Sequence, residues 1–409
     1  MAILVAICIS ICLVKKTNSI LGNKQQSFVL LAFIAYLIAS FLFNYYLEHF
    51  IGWDYGIPGV DNLAHFEGAR AIAEGRDLSK VASSTTRFSL NPESFGYFIY
   101  AYFLYFTLYF PTILDLHFNL AITYYVQTAA AFIFALQLAS FIHYIDSRVS
   151  NKFTFTLSIL CPGLFIITSL LLRDVWVFFF FGFFLEYISN GKDKHAFIFG
   201  LATCALRLYM AVFIIPIYIL KKWGGKSALL FILTCCLLLI FGSEILVRFA
   251  PQFNILWHLG EIDPVECARN LLYPQLDYQI DVVLSNSFDK VCLGGDGVPG
   301  LYQFLAIWNI AVIVLSIFGL IETLFSGQSR QYISQCLIGM TIFLAMWYSL
   351  FYDASNLTAR HKVMFLLSYA FFAGIGADFL KRKYGLGFSL AILASCISIV
   401  ILFKLVSYN

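Results

Sequence analysis

Apolar residues run along this chain in blocks of membrane-spanning length, with no period-two alternation and no regular amphipathic stripe. The blocks are Phe28–Leu47, Phe95–Leu114, Leu120–Ile142, Phe153–Leu171, Val175–Ile188, Ser227–Val247, Leu301–Ile321, Cys336–Tyr352, Val363–Phe379 and Phe388–Leu402. Ala196–Leu220 is a further apolar stretch, interrupted by Arg207. Each approaches the roughly 20 residues a helix needs to cross a hydrocarbon core, and tilt or local thinning absorbs a shortfall. Ala2–Val14 is followed directly by Lys15-Lys16 and has neither a basic leader nor an A-x-A site, so it reads as a short first span or signal anchor. The pattern predicts an all-α, polytopic membrane protein with about 10–12 transmembrane or re-entrant helices. It forms one integral membrane domain over residues 1–409, with long outer loops at about 48–94 and 248–300.

Composition agrees. The chain is 61% hydrophobic and only 12% charged, about half the charge a soluble domain carries, so it cannot clothe a water-facing surface. The net charge of +3 gives no footprint for nucleic acid. An outer-membrane barrel would alternate over strands of about ten residues, and this chain does not.

Short basic loops set the orientation. Lys15, Lys16 and Lys24, then Arg148 and Lys152, Lys192 and Lys194, Lys221, Lys222 and Lys226, Arg330, and Lys381-Arg382-Lys383 read as cytoplasmic. Glu48–Ser94 and the acidic Arg248–Gly300 then lie outside. One count does not close. Two crossings between Phe95 and Ile142 would carry Arg148 and Lys152 outside, so either one segment is re-entrant or that loop breaks the rule. In the second outer loop, Cys267 and Cys292 would close a disulfide if the compartment is oxidising, and are two thiols otherwise.

Charges that hydrophobicity does not explain are the candidate chemistry. In the first loop, Asp61 is placed to cap a helix running to Glu74, with Gly75 at its end, and puts His65 four residues on along one face. Leu63, Phe66 and Ile72 would lay that helix on the membrane surface. Asp54, Asp61 and Glu67 are the candidate general bases toward a hydroxyl, against the plainer reading of a solvated, capped helix. Arg173-Asp174 sits at the tip of a hairpin between two apolar arms; the plain alternative is an ion pair that holds the hairpin. Arg207 is carried into the membrane between two short helices, with Glu244 as the ordinary partner. Arg360-His361-Lys362 falls on the outer side, against the charge rule; a phosphate is the partner that suits it, and lipid head groups are the plain alternative. Together the arginines suit the diphosphate of a polyisoprenyl-linked sugar, and a carboxylate would deprotonate the attacking hydroxyl. Tyr55, Tyr97, Trp176, Tyr209 and Trp257 are candidates to stack on sugar faces. Walker, HExxH, paired CxxC and GxSxG motifs are missing from the sequence.

Four segments carry a resemblance: "EGRD" after the loop acid, "PGLFIITSLLLRDVWVFFFF", "LRLYMAVFIIP" and the late "ARHKVMFL". In this order they resemble the Wzy-type O-antigen and capsule polymerases, and the chain is similar to the wider GT-C glycosyltransferases that use lipid-linked sugars. The resemblance implies a GT-C-like fold in the bacterial inner membrane and a reaction on the periplasmic face without a cofactor. It implies undecaprenyl-diphosphate-linked oligosaccharides as substrates, membrane lipid as surroundings and a chain-length regulator as partner. Arg173, Arg207 and Arg360, with His361 and Lys362, would bind diphosphate, and a first-loop aspartate would be the base. The family's D-x-D-like element has no match here: Asp54 and Asp61 stand apart. The rival readings are a GT-C enzyme adding one sugar from a polyprenyl monophosphate, and a transporter, which would show repeated halves.

Overall fold

The computed structural model describes residues 2–49, 59–78, 92–110, 116–170, 172–207, 210–249, 301–325, 333, 335–342 and 363–407. Among them every regular element is helical. By length and composition three helices are able to cross a membrane: Ala2–Ile20, Asn23–Tyr45 and Phe118–Ile145. A fourth crossing is added if the bent pair Asn151–Ile159 and Gly163–Ser169 counts as one span. The chain divides into two compact units, Met1–Ile159 with Leu164–Ala211, and Leu160–Gly163 with Val212–Asn409.

The first unit contains α1 (Ala2–Ile20), α2 (Gln26–His49), α3 (Gly59–Ala73), α4 (Pro92–Leu104), α5 (Leu116–Ile145), α6 (Asn151–Ile159), α7 (Pro162–Ser169), α8 (Asp174–Ser189) and α9 (Asp193–Leu206). α1 runs past Val14 and through the lysine pair that was expected to end it. Lysine is a good helix former, and Lys16 finds a partner in Glu186 of α8, which also accepts from Gln137 of α5 at 2.9 Å. α7 does not continue α6 as the apolar run suggests. Pro162 has no N–H to give the preceding turn, and the two axes differ by 58°.

Contacts along the helices fix their directions. In α2, Phe33 meets Phe132 and Phe41 meets Tyr124 at ring separations of 5.3 and 6.4 Å, so α2 and α5 are antiparallel. Ser10 of α1 bonds Tyr125 at 2.6 Å, and Asn151, just after α5, donates to the Ile20 carbonyl at 3.2 Å, so α1 and α5 run the same way. The end of α2 and the start of α5 therefore share one end of the unit. Lys15, Lys16, Lys24, Arg148, Lys152, Lys192 and Lys194 lie toward the opposite end, near the C-terminal ends of α1, α5 and α8 and the N-terminal ends of α2, α6 and α9.

α4 extends through a π turn over Tyr105–Tyr109. Asn119 of α5 donates to the Leu108 carbonyl at 2.8 Å and pins that turn to the start of α5. α3 packs on α4: Phe66 and Ala69 are buried, and Ile72 and Leu78 sit against Tyr97 and Ala101.

In the second unit, α10 (Ala211–Trp223) and α11 (Gly225–Phe249) precede the helices Leu301–Leu324 and Leu366–Ser407. The last of these is broken at Gly385, whose φ of 75° and ψ of 168° leave the helical region. The Leu301–Leu324 and Leu366–Ser407 helices meet backbone to backbone. A Cβ on Gly319 would overlap the Phe372 carbonyl, and one on Gly376 would overlap the Leu315 carbonyl and lie 2.8 Å from the Gly319 nitrogen. Small residues at such a crossing let helices approach where no water drives them together.

Candidate functional site

The hairpin tip turns between α7 and α8. Leu172 N–H bonds the Leu170 carbonyl at 2.8 Å, and the Arg173 carbonyl accepts from the Trp176 and Val177 amides at 2.9 and 3.3 Å. α8 thus opens on Asp174, a carboxylate at the positive end of a helix dipole. The tip does not project into solvent. Arg173 is only 2% exposed and Asp174 5%.

A buried guanidinium has to be accommodated on all sides. The Arg173 guanidinium carbon lies 3.8 Å over the Tyr97 ring of α4, a cation–π contact strengthened by the absence of water. Tyr97 also stacks on His65 of α3, with ring centroids 4.7 Å apart, and His65 stands edge-on to Tyr100 at 4.8 Å. Gly96 is what allows α4 this close. A Cβ there would overlap the Leu206 carbonyl and stand 2.7 Å from the Arg173 Nη1. Gly96→Ala should therefore move Arg173 or push α9 away without removing any polar group. We expect a large loss of any Arg173-dependent activity at near-normal protein level, measured by activity assay beside an expression blot.

The second arginine arrives by a break in the backbone. α9 ends at Leu206, and Arg207 is extended at φ −148°, ψ 104° before α10 begins. Two short helices around Arg207 match the sequence expectation. Its partner is Asp174: Nε donates to Oδ1 at 3.0 Å, and a longer contact of 3.4 Å joins Nη2 to Oδ2. The side chain of Glu244, the partner expected from sequence, lies outside the described residues. At 1.5 Å per residue, the 16 residues of α8 and 14 of α9 set this cluster about 24 and 21 Å from the basic end.

Gln127 ties the pieces together. In the orientation that satisfies its donors and acceptor, its amide donates to the Thr168 and Leu170 carbonyls at 3.2 and 3.0 Å and accepts from the Tyr100 hydroxyl at 2.6 Å. One side chain on α5 thus fixes both the hairpin tip and the aromatic face of α4. Gln127, Tyr100, Gly96 and His65 are the residues that sequence reasoning did not assign to the site. A glutamine inside a long apolar helix was the available signal for the first.

The loop acids fare differently. α3 begins at Gly59, so Asp61 lies inside its first turn and does not cap it; the side chain of Asp61 is outside the described residues. The preceding Pro58-Gly59 explains the earlier start, because helix starts tolerate both residues. Glu67 is half-buried on α3. Gly75, at φ 67°, ends the helix as expected: Arg76 N–H bonds the Ala71 carbonyl and Gly75 N–H the Ile72 carbonyl, at 2.8 and 3.2 Å. Hydrogen bonds from Arg70, and from Arg76 behind it, hold the exposed Glu74 carboxyl below the usual carboxylate range. Asp54, Arg360, His361, Lys362, Cys267 and Cys292 lie outside the described residues. Among the described residues, the geometry brings two largely buried guanidinium groups and one carboxylate together beside the Tyr97 ring. Such a site suits a multiply charged anion. No known protein family, characterised protein or solved structure matches this chain.

Proposed function

We propose that this chain is a glycosyltransferase of the bacterial inner membrane that polymerises lipid-linked oligosaccharide repeat units of an O-antigen or capsule. The observation that supports it is Arg173, buried flat on Tyr97 beside the Asp174–Arg207 pair. If the basic end is cytoplasmic, the cluster stands in the outer half of a hydrocarbon core about 30 Å thick. That is within several ångströms of the outer head-group level, where the diphosphate of a polyprenyl donor sits.

In this reading the acceptor hydroxyl attacks the anomeric carbon of the donor sugar. The bond from that carbon to the diphosphate oxygen breaks, and polyprenyl diphosphate leaves with the electron pair. Arg173 and Arg207 stabilise the charge that collects on it, an interaction that grows toward the transition state. The acceptor proton passes to a first-loop acid; Asp54, Asp61 and Glu67 are the candidates. Arg360, His361 and Lys362 extend the same diphosphate site, and a chain-length regulator is the expected protein partner.

The test uses a strain lacking its own copy, complemented with Arg173→Lys or Arg207→Ala and scored for long glycan chains. Lysine keeps the charge of Arg173 but loses the planar stack, so both variants should lose long chains by about tenfold or more while single repeat units accumulate on the lipid. Normal chain length in both, at normal protein level, would sink the proposal.

A further inference from the structure

Trp176 carries a polar group that the reading above does not use. The residue is 9% exposed, and among the described residues nothing accepts from its Nε1–H. Leaving a buried donor without an acceptor is costly, so each instance calls for an explanation. The ring is firmly placed: its centroid lies 4.6 Å from that of Phe103 on α4 and 5.4 Å from that of Phe179. Trp176 and Arg173 are one turn apart at the start of α8, and both lie against α4, Arg173 on Tyr97 and Trp176 on Phe103. The indole and the first guanidinium thus both contact α4 from the first turn of α8.

We propose that Trp176 is a positioning residue that donates its Nε1–H to a non-bridging oxygen of the substrate diphosphate. This rests on the diphosphate reading of the arginine pair and adds a third kind of donor to it. The chemistry selects the ligand atom. An indole N–H donates and never accepts, so it matches an oxygen that only accepts. A deprotonated phosphate oxygen is such an atom. A sugar hydroxyl also brings a proton that would need an acceptor of its own beside two arginines. A neutral donor fixes the anion's orientation without adding charge, whereas the guanidinium groups supply most of the attraction.

The experiment uses the full chain in detergent micelles with ¹⁵N-indole tryptophan. Trp176→Phe keeps the ring against Phe103 and identifies one of the six indole signals; if it does not accumulate, phenylalanine at the other five positions assigns the signal by elimination. Farnesyl diphosphate is the probe, and farnesol the uncharged control. The Trp176 signal should move downfield with farnesyl diphosphate and stay put with farnesol. Trp176→Phe should bind farnesyl diphosphate about tenfold more weakly at an unchanged thermal midpoint. A fixed Trp176 signal with unchanged affinity in Trp176→Phe, while Arg173→Ala loses binding, overturns the role of Trp176 and leaves the diphosphate site standing; the indole would then face a trapped water. Failure of the wild-type chain to bind farnesyl diphosphate at all overturns both.

Discussion

Replacing Asp174 with alanine is expected to destabilise the first unit by about 3–5 kcal/mol, the range for breaking one side of a buried ion pair. The side chains of Asp174 and Arg207 are 7% and 19% exposed, so water can take over little of the role of the lost carboxylate. An arginine so placed in a membrane costs about 2.5–3.5 kcal/mol even on insertion scales. Asparagine at 174 should recover part of the loss, because its amide oxygen can still accept from Arg207. The diagnostic case is the double variant Asp174→Ala with Arg207→Met. It removes both charges and should be more stable than Asp174→Ala alone, as read from thermal unfolding followed by size-exclusion chromatography. A double variant no better than the single would show that Asp174 supports something other than Arg207.

The second large effect belongs to the helix crossing in the other unit. Gly376→Val should abolish monodisperse protein, and Gly319→Val should do the same. In both cases the new Cβ falls on a backbone carbonyl, Leu315 or Phe372, which no rotamer change can move aside. The helices would have to separate, and packing lost across a membrane crossing has no hydrophobic term to offset it. Gly387 is the matched control. It lies just past the break at Gly385, with open space where a Cβ would stand, so Gly387→Ala should leave the elution profile unchanged or slightly improved. Equal damage from Gly376→Val and Gly387→Ala would contradict the crossing.

How far the sequence announced all this depends on how local each feature is. The helices at Gln26–His49, Leu116–Ile145 and Asp174–Ser189 follow from apolar runs, and the break at Arg207 follows from a charge set between two lysine-bounded ends. The helix end at Gly75 follows from one residue's tolerance of positive φ. The pairing of Arg207 with Asp174 was not legible, since it joins residues 33 apart through the packing of α8 on α9. Nor was the role of Gly96, which only matters once Leu206 and Arg173 are brought to it. Pro162 was visible in the sequence, but an apolar run reads the same whether straight or bent. That the end of α2 and the start of α5 share one end needed the antiparallel match of the two helices, because hydropathy has no sign along the membrane normal.

The π turn at Tyr105–Tyr109 makes the length of this stretch a constraint in its own right. A π turn holds one residue more than the α turn it replaces, and each residue of an α-helix advances the helical phase by about 100°. With the far side pinned by Asn119 to the start of α5, deleting one residue here would wind the turn back to α geometry. Tyr97, Tyr100 and Phe103 would then swing by about 100° away from Arg173, Gln127 and Trp176. In this stretch the number of residues sets where the aromatic face points, independently of which residues they are.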